Sequence, residues 1–294
     1  MFNFSSRLSA AFKSVWLTYR RSYGRAVYVL LSLSVIAGIW VASPAPTQAI
    51  SWADLIFRGI QVIQLSNLSD SQEVALGQQI NKQLVGQEVK IYSDRAATRY
   101  VDGIGQRLAK QSARPNIPYT FQIVDDKNIN AFATMGGFVY VNKGLMAAAD
   151  NEAQLASVMA HEIGHITAKH SVKRMRQMAI AQGVASAAGL DRNQAVQIGV
   201  ELALRRPHSR EAEYQADKLG LDTLGRAGYA QSAMIDFMKK LQNQASPPTF
   251  LSTHPATSDR IAAMRQYIGS ANADRGDGLN NGAYKQKISQ FLGY

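Results

Sequence analysis

The stretch Met159-Ala160-His161-Glu162-Ile163-Gly164-His165 constrains this chain more than any other. Leu155, Met159 and Ile163 recur every four residues, the spacing of a helix with one buried face. On such a helix His161 and His165 share one side and can direct two imidazole nitrogens at a single ion, while Glu162, one step round, stands beside it. The fold must therefore carry a rigid helix whose polar residues face a metal-sized space. Two unrelated surface histidines are the bland alternative, and the remainder of the chain has to decide.

A catalytic zinc takes three protein ligands and keeps one position open, so a third ligand must come from elsewhere. His208, Glu213 and His254 are the downstream candidates. After His165 the chain runs Ile-Thr-Ala-Lys-His, which lacks the H-x-x-G-x-x-H extension of a metzincin. His170, five residues on, is rotated off the ligand side and reads as a solvated or supporting histidine. Glu213 opens Glu213-x-x-x-Asp217, which puts two carboxylates on one helix face. The first would bind the ion and the second would accept an N–H from a bound imidazole, fixing its tautomer. The competing view of this pair is two solvated helix acids. His254 and Arg260 lie beyond, on a loop and the helix after it, and either offers a donor to a developing oxyanion, as does Tyr214. A loop histidine capping a helix is the simpler view of His254.

Composition narrows the class. With 294 residues and 46% apolar content the chain is globular, with one main domain and appendages. The absence of cysteine removes disulfide scaffolds, Cys-ligated zinc and cysteine nucleophiles together. Net charge is +11, but Arg7, Lys13, Arg20, Arg21 and Arg25 precede an apolar run and no acid occurs before Asp54. No nucleic-acid motif accompanies the remaining basicity, so it reads as ordinary basicity and a nucleic-acid partner is not expected; a membrane surface enters as a partner only through the N-terminal segments.

The apolar run, Ala26 to Ala42, is at the short limit for a bilayer span and is followed by Ser-Pro-Ala-Pro-Thr-Gln-Ala. Thr47 and Ala49 suit a signal-peptidase site, so residues 1–49 read as a signal peptide, or else an uncleaved anchor, of an exported protein of the periplasm or cell envelope. Arg20-Arg21 is a partial match to a twin-arginine signal. Residues 50–69 read as an amphipathic helical segment that rests on a membrane, covers the catalytic groove, or packs on the domain. A capping box at Asp70 and Glu73 predicts a helix to about Leu84, and a second helix runs from Ser93-Asp94 to Lys110.

Tyr119 to Val124, Ala131 to Ala133 and Phe138 to Val141 predict a small sheet, with Gly136-Gly137 a turn or bulge. The helix of the metal motif opens at Asp150-Asn151-Glu152 and is expected to continue through Arg176. Helices follow over 194–204, from a Ser209 cap to near Gly228, over 231–244, and from a Ser258 cap to Ile268, with a loop from Ser246 through His254. The tail, 270–294, carries no evident chemistry.

These blocks together, His161-Glu162-Ile163-Gly164-His165, Ser209 to Asp217, and Thr253-His254-Pro255 with Arg260-Ile261, resemble the motifs of the HtpX and CAAX prenyl endopeptidase family of gluzincin metallopeptidases. The likeness is greatest to its BepA/LoiP-like and Oma-like envelope members. Asn130-Ala131-Phe132 and Gly136 to Val141 resemble that family's upstream strand segment. The resemblance implies an α+β, mainly helical, zincin-like domain over 70–269, with a small sheet packed on the H-E-x-x-H helix. It implies Zn2+, one per chain, on His161, His165 and Glu213, with Glu162 as base. It also implies endoproteolysis of unfolded or misfolded envelope proteins in quality control. From the residues themselves, an edge strand at Gly137, Phe138, Val139 and Tyr140 would align an extended substrate through its main chain. The reading from another class is a zinc-dependent chaperone or assembly factor that holds such proteins without cutting them.

Overall fold

The computed structural model describes residues 62–63, 68–181, 190–205, 207–255, 258–268 and 273–293. The leader or anchor expected over 1–49, all but four residues of the segment 50–69, and the small apolar residues 182–189 lie outside them. Among the described residues no helix is long and apolar enough to cross a membrane.

In chain order the elements are β1 (Val62–Ile63), α1 (Asp70–Gln83), α2 (Arg95–Ala109), β2 (Thr120–Val124), β3 (Ala131–Ala133), β4 (Phe138–Asn142) and α3 (Lys143–Ala148). Then come α4 (Glu152–Thr167), α5 (His170–Ala181), β5 (Leu190–Asp191), α6 (Arg192–Arg205) and α7 (Arg210–Arg226). The chain closes with α8 (Ser232–Gln242), α9 (Thr249–Thr253), α10 (Ser258–Ile268) and α11 (Asn281–Leu292). This is the α+β, mainly helical architecture the sequence implies.

Helix α4 carries the metal motif, and every residue from Ala153 to Ile166 is buried. A helix covered on all sides belongs at the centre of a domain. Asn151 starts it, its side chain accepting from Gln154 N at 3.0 Å. At the other end Arg114 Nη1 donates to the Ile166 carbonyl at 3.0 Å, a cation at a helix C-terminus. The same guanidinium grips Glu73, which is wholly buried on α1, with Nη2 2.8 Å from Oε2. Glu73 is therefore an anchor for Arg114, and the capping box of α1 sits one residue earlier than expected, on Ser69 and Gln72.

The helix also ends earlier than the sequence suggests. Instead of running through Arg176, α4 stops at Thr167, Lys169 adopts φ +56°, and α5 sets off from His170. Lys169 Nζ lies 2.8 Å from Asp70 and 3.3 Å from Glu73, so two ion pairs hold a backbone conformation that a lysine rarely takes.

The three-stranded sheet has the order β2-β4-β3, with β4 parallel to β2 and antiparallel to β3. Thr120 pairs with Phe138 and Ala131 with Val141. Since all five residues of β4 are buried, one face of the strand, Val139 and Val141, joins the core around α4. The other, Phe138 and Tyr140, packs with Leu76, Ile80 and Met175. This overturns the expectation that Gly137, Phe138, Val139 and Tyr140 offer an edge to substrate. The strand is central, both of its sides are already paired, and Tyr140 spends its hydroxyl on Asn81 Oδ1 at 2.7 Å. Gly136 and Gly137 form a tight turn with φ +80° and +100°, where a side chain at Gly137 would strike Ile117 and Pro118.

The residues read as a tail include α11, whose Tyr284 and Ile288 are buried in the main core. Tyr284 donates to the Met146 carbonyl at 2.7 Å and Tyr92 to the Phe291 carbonyl at 2.6 Å.

Candidate metal centre

Helices α4 and α7 cross at unusually short range because the residues where they meet are small. A Cβ on Gly164 would stand 2.6 Å from the Ala216 carbonyl oxygen, and one on Gly220 would stand 3.1 Å from the His161 backbone. The unspecified positions of the motif are thus not free: Gly164 is what lets the second helix approach. Ser209 caps α7, accepting from Ala212 N at 3.2 Å, and so sets the phase in which Glu213 and Asp217 turn inward.

That crossing brings the expected residues together. His161, His165, Glu213 and His254 each offer one donor atom, all within 4.8 Å of one another, and all four residues are buried. His161 Nε2 and His165 Nε2 approach to 3.0 Å, and they lie 3.5 and 3.4 Å from the Glu213 carboxylate. His161 turns its other nitrogen to Asp217, with Nδ1 3.0 Å from Oδ1, as the spacing of the two acids predicts. Arg260, 2% exposed, donates Nε and Nη2 to Asp217 at 2.7 Å each and Nη1 to the Pro255 carbonyl at 2.7 Å. Its Nη1 also lies 2.7 Å from Glu213 Oε2, an ion pair.

The remaining two histidines lie in the same place, so all five of the chain share one cluster. His208 is outside the donor set. Its ring lies 4.0 Å from that of His165 and 5.1 Å from that of His254, and its backbone N–H donates to the Thr253 carbonyl at 3.0 Å. His170 Nδ1 meets His165 Nδ1 at 2.8 Å, while its Nε2 reaches Gln215 Oε1 at 3.1 Å. Gln215 was not singled out in the sequence, although its place two residues after Glu213 puts it on the flank of the same helix. A cavity of about 440 Å³ opens on this side, between α5 and the start of α7. His254 comes from the end of α9, a short helix within the expected loop, and Phe250 stacks on it with centroids 4.6 Å apart.

Burial and charge act on each group differently. Burial opposes the charged form of His161, but the hydrogen bonds to Asp217 and Glu213 outweigh it and raise its pKa to about 10. For His165 burial wins, and its pKa falls well below the usual imidazole value. Burial raises the pKa of Glu162, which is 1% exposed, despite opposing pulls from His254 and His161. Glu213 and Asp217 are held in the ionised form: burial is overcome for the first by His254, His161 and His165, and for the second by Arg260 and His161. Glu162 Oε1 and Glu213 Oε2 are both buried there without a hydrogen bond. Two imidazole nitrogens facing each other beside a buried carboxylate is the donor chemistry of a divalent ion such as zinc.

The family model described as peptidase family M48 matches residues 95–268, which include the whole of this site. A beta-barrel assembly-enhancing protease from Escherichia coli is 32% identical over 80% of this chain and 51% of its own length. A putative protein of the same name from Vibrio cholerae is 32% identical over 68% of the chain and 45% of its own length. The mitochondrial metalloendopeptidase OMA1 of Schizosaccharomyces pombe is 25% identical over 74% of the chain and 69% of its length. The chain spans about half the length of the assembly-enhancing proteases it matches.

Proposed function

Starting from a chain that belongs to peptidase family M48, we propose that it is a zinc-dependent endopeptidase acting on unfolded or misassembled proteins of the cell envelope. The observation that carries this reading is the convergence of His161, His165 and Glu213 with Glu162 on their flank. His161, His165 and Glu213 would hold the ion. When bound, zinc supplies Lewis acidity, polarising a peptide carbonyl and acidifying a water.

Glu162 is the group that moves the proton. Buried and with its pKa raised, it takes a proton from the attacking water and returns it to the leaving amine. Asp217 holds His161 in the tautomer whose Nε2 lone pair faces the ion. Arg260, expected to stabilise an oxyanion, has its donors committed to Asp217, Glu213 and Pro255, so we read it as the residue that positions both carboxylates. His254 lies against both carboxylates, with Nδ1 3.2 Å from Glu213 Oε1 and Nε2 3.4 Å from Glu162 Oε1. We therefore read His254 as a cover over Glu162 and Glu213 that an incoming substrate displaces.

For the substrate main chain, β3 takes the part first given to β4. It is paired on one side only among the described residues, and it packs on α4. An extended segment adding to it would be read by its backbone, which favours unfolded chains over folded ones. The names of the similar bacterial proteases support substrates related to β-barrel assembly, and the apolar run within 1–49 supports export to the envelope. Comparing peptide termini released across an envelope proteome by the wild-type protein and by Glu162→Gln tests the reading. Termini specific to the wild type, drawn from envelope proteins, support it, and identical sets refute it.

A further inference from the structure

The two histidines of the motif are supported in different ways. His161 leans on a carboxylate, Asp217, itself held by two bonds from Arg260. Behind His165 stand, among the described residues, not a carboxylate but a second imidazole and an amide, with His165 Nδ1 2.8 Å from His170 Nδ1 and His170 Nε2 3.1 Å from Gln215 Oε1.

Protons in that row are not independent. An imidazole binds a metal through a bare nitrogen, so His165 must keep Nε2, which faces His161 and Glu213, free of its proton and carry it on Nδ1. The Nδ1–H then has His170 Nδ1 to donate to, and that nitrogen accepts only if His170 carries its own proton on Nε2. The Nε2–H in turn needs an acceptor, and Gln215 presents its oxygen there. Turning the amide round would reverse every bond in the row and place a proton on the nitrogen of His165 that the ion requires. Resting on the metal-site reading above, we propose that His170 and Gln215 are positioning residues that lock His165 in its metal-binding tautomer and fix the plane of its ring. They act as a neutral counterpart to the Asp217–Arg260 support of His161.

The arrangement is open to a clean test because Gln215 is exposed and its outer side faces the cavity between α5 and α7, so its substitution does not disturb the core. Zinc dissociation constants are measured by competition with a chromophoric chelator for wild type, Gln215→Leu, Gln215→Glu, His170→Phe and His161→Ala, along with the unfolding midpoint of each metal-free protein. Loss of a group supporting a metal-bound histidine typically weakens metal binding about 10- to 100-fold. Gln215→Leu and His170→Phe are expected to bind within that range of loss, Gln215→Glu at least as tightly as wild type, with metal-free midpoints for the two Gln215 variants unchanged. Rescue by glutamate and not by leucine is a pattern that a packing role does not produce. Equal affinity in wild type and Gln215→Leu, or equal loss in Gln215→Leu and Gln215→Glu, overturns the relay while leaving the site intact. A wild type that binds no zinc, or an undiminished His161→Ala, overturns the metal site and the relay with it. Should His170→Phe fail to fold, long-range proton–nitrogen spectra of the five histidines in the zinc-loaded wild type decide the same point. Protons on His165 Nδ1 and His170 Nε2 are expected, and the reverse pair refutes the proposal.

Discussion

Gly164 of α4 lies so close to Ala216 of α7 that a side chain on the glycine would meet the Ala216 carbonyl oxygen at 2.6 Å. The contact has a chemical purpose. It sets the separation between the helix bearing His161 and His165 and the helix bearing Glu213, and so the size of the space their donors enclose.

Gly164→Ala should therefore wedge the helices apart at the metal site. The expected cost is about 1–3 kcal/mol of stability, as for other overpacked interiors, together with weaker zinc binding. Denaturant unfolding and a zinc competition titration check the two effects. Unchanged affinity would show that the donors do not depend on this approach.

Arg114 ties the end of the motif helix to α1 through Glu73, which has no exposure at all. Removing one partner of a buried pair leaves an uncompensated charge, and Arg114→Ala should lose about 3 kcal/mol in an equilibrium unfolding curve. The second cation beside Glu73, Lys169 at 3.3 Å, keeps the loss at the lower end of the usual range.

His254 separates two roles by the sign of one result. If it covers the Glu213 and Glu162 carboxylates against substrate, His254→Ala should raise the initial rate of casein cleavage. A rate that falls instead would restore the oxyanion role expected from the sequence.

Chelation offers a further check on the same donors. A ligand bound only by the folded protein stabilises it by about 4 kcal/mol at a free concentration 1,000 times its dissociation constant. Zinc should thus raise the unfolding midpoint of the wild type, and 1,10-phenanthroline should remove both that increment and the cleavage activity. His161→Ala should show neither response.

What could be read from the sequence was what is local. The four-residue spacings that put His161 beside His165, and Glu213 beside Asp217, survive folding because a helix preserves them. Strand existence was legible from alternation, but strand order was not: β4 sits at the centre because β2 and β3 both pair with it, a long-range fact that no residue of Phe138 to Tyr140 announces. The break at Lys169 was hidden because no glycine or proline marks it and the stabilising acids lie about a hundred residues earlier, on Asp70 and Glu73. Arg260 looked like a catalytic donor because its partners, Asp217 and Glu213, lie on another helix. The support behind His165 was equally out of sight. His170 lay at an off-face spacing from the motif, and only the turn between α4 and α5 swings its ring back to Nδ1 of His165. Helix α11 was missed because only Tyr284 and Ile288, four apart among Lys, Gln and Ser, show its buried side.

The central claim is that His161, His165 and Glu213 bind one zinc ion and that Glu162 moves the proton beside it. The most direct measurement is zinc content and cleavage of an unfolded protein substrate by wild type and Glu162→Gln, side by side. The account predicts one zinc per chain in both and a loss of cleavage in the variant of at least about 100-fold, the lower bound for removing a positioned acid–base group. Equal cleavage by the two proteins, or a wild type that cleaves without binding zinc, would contradict it.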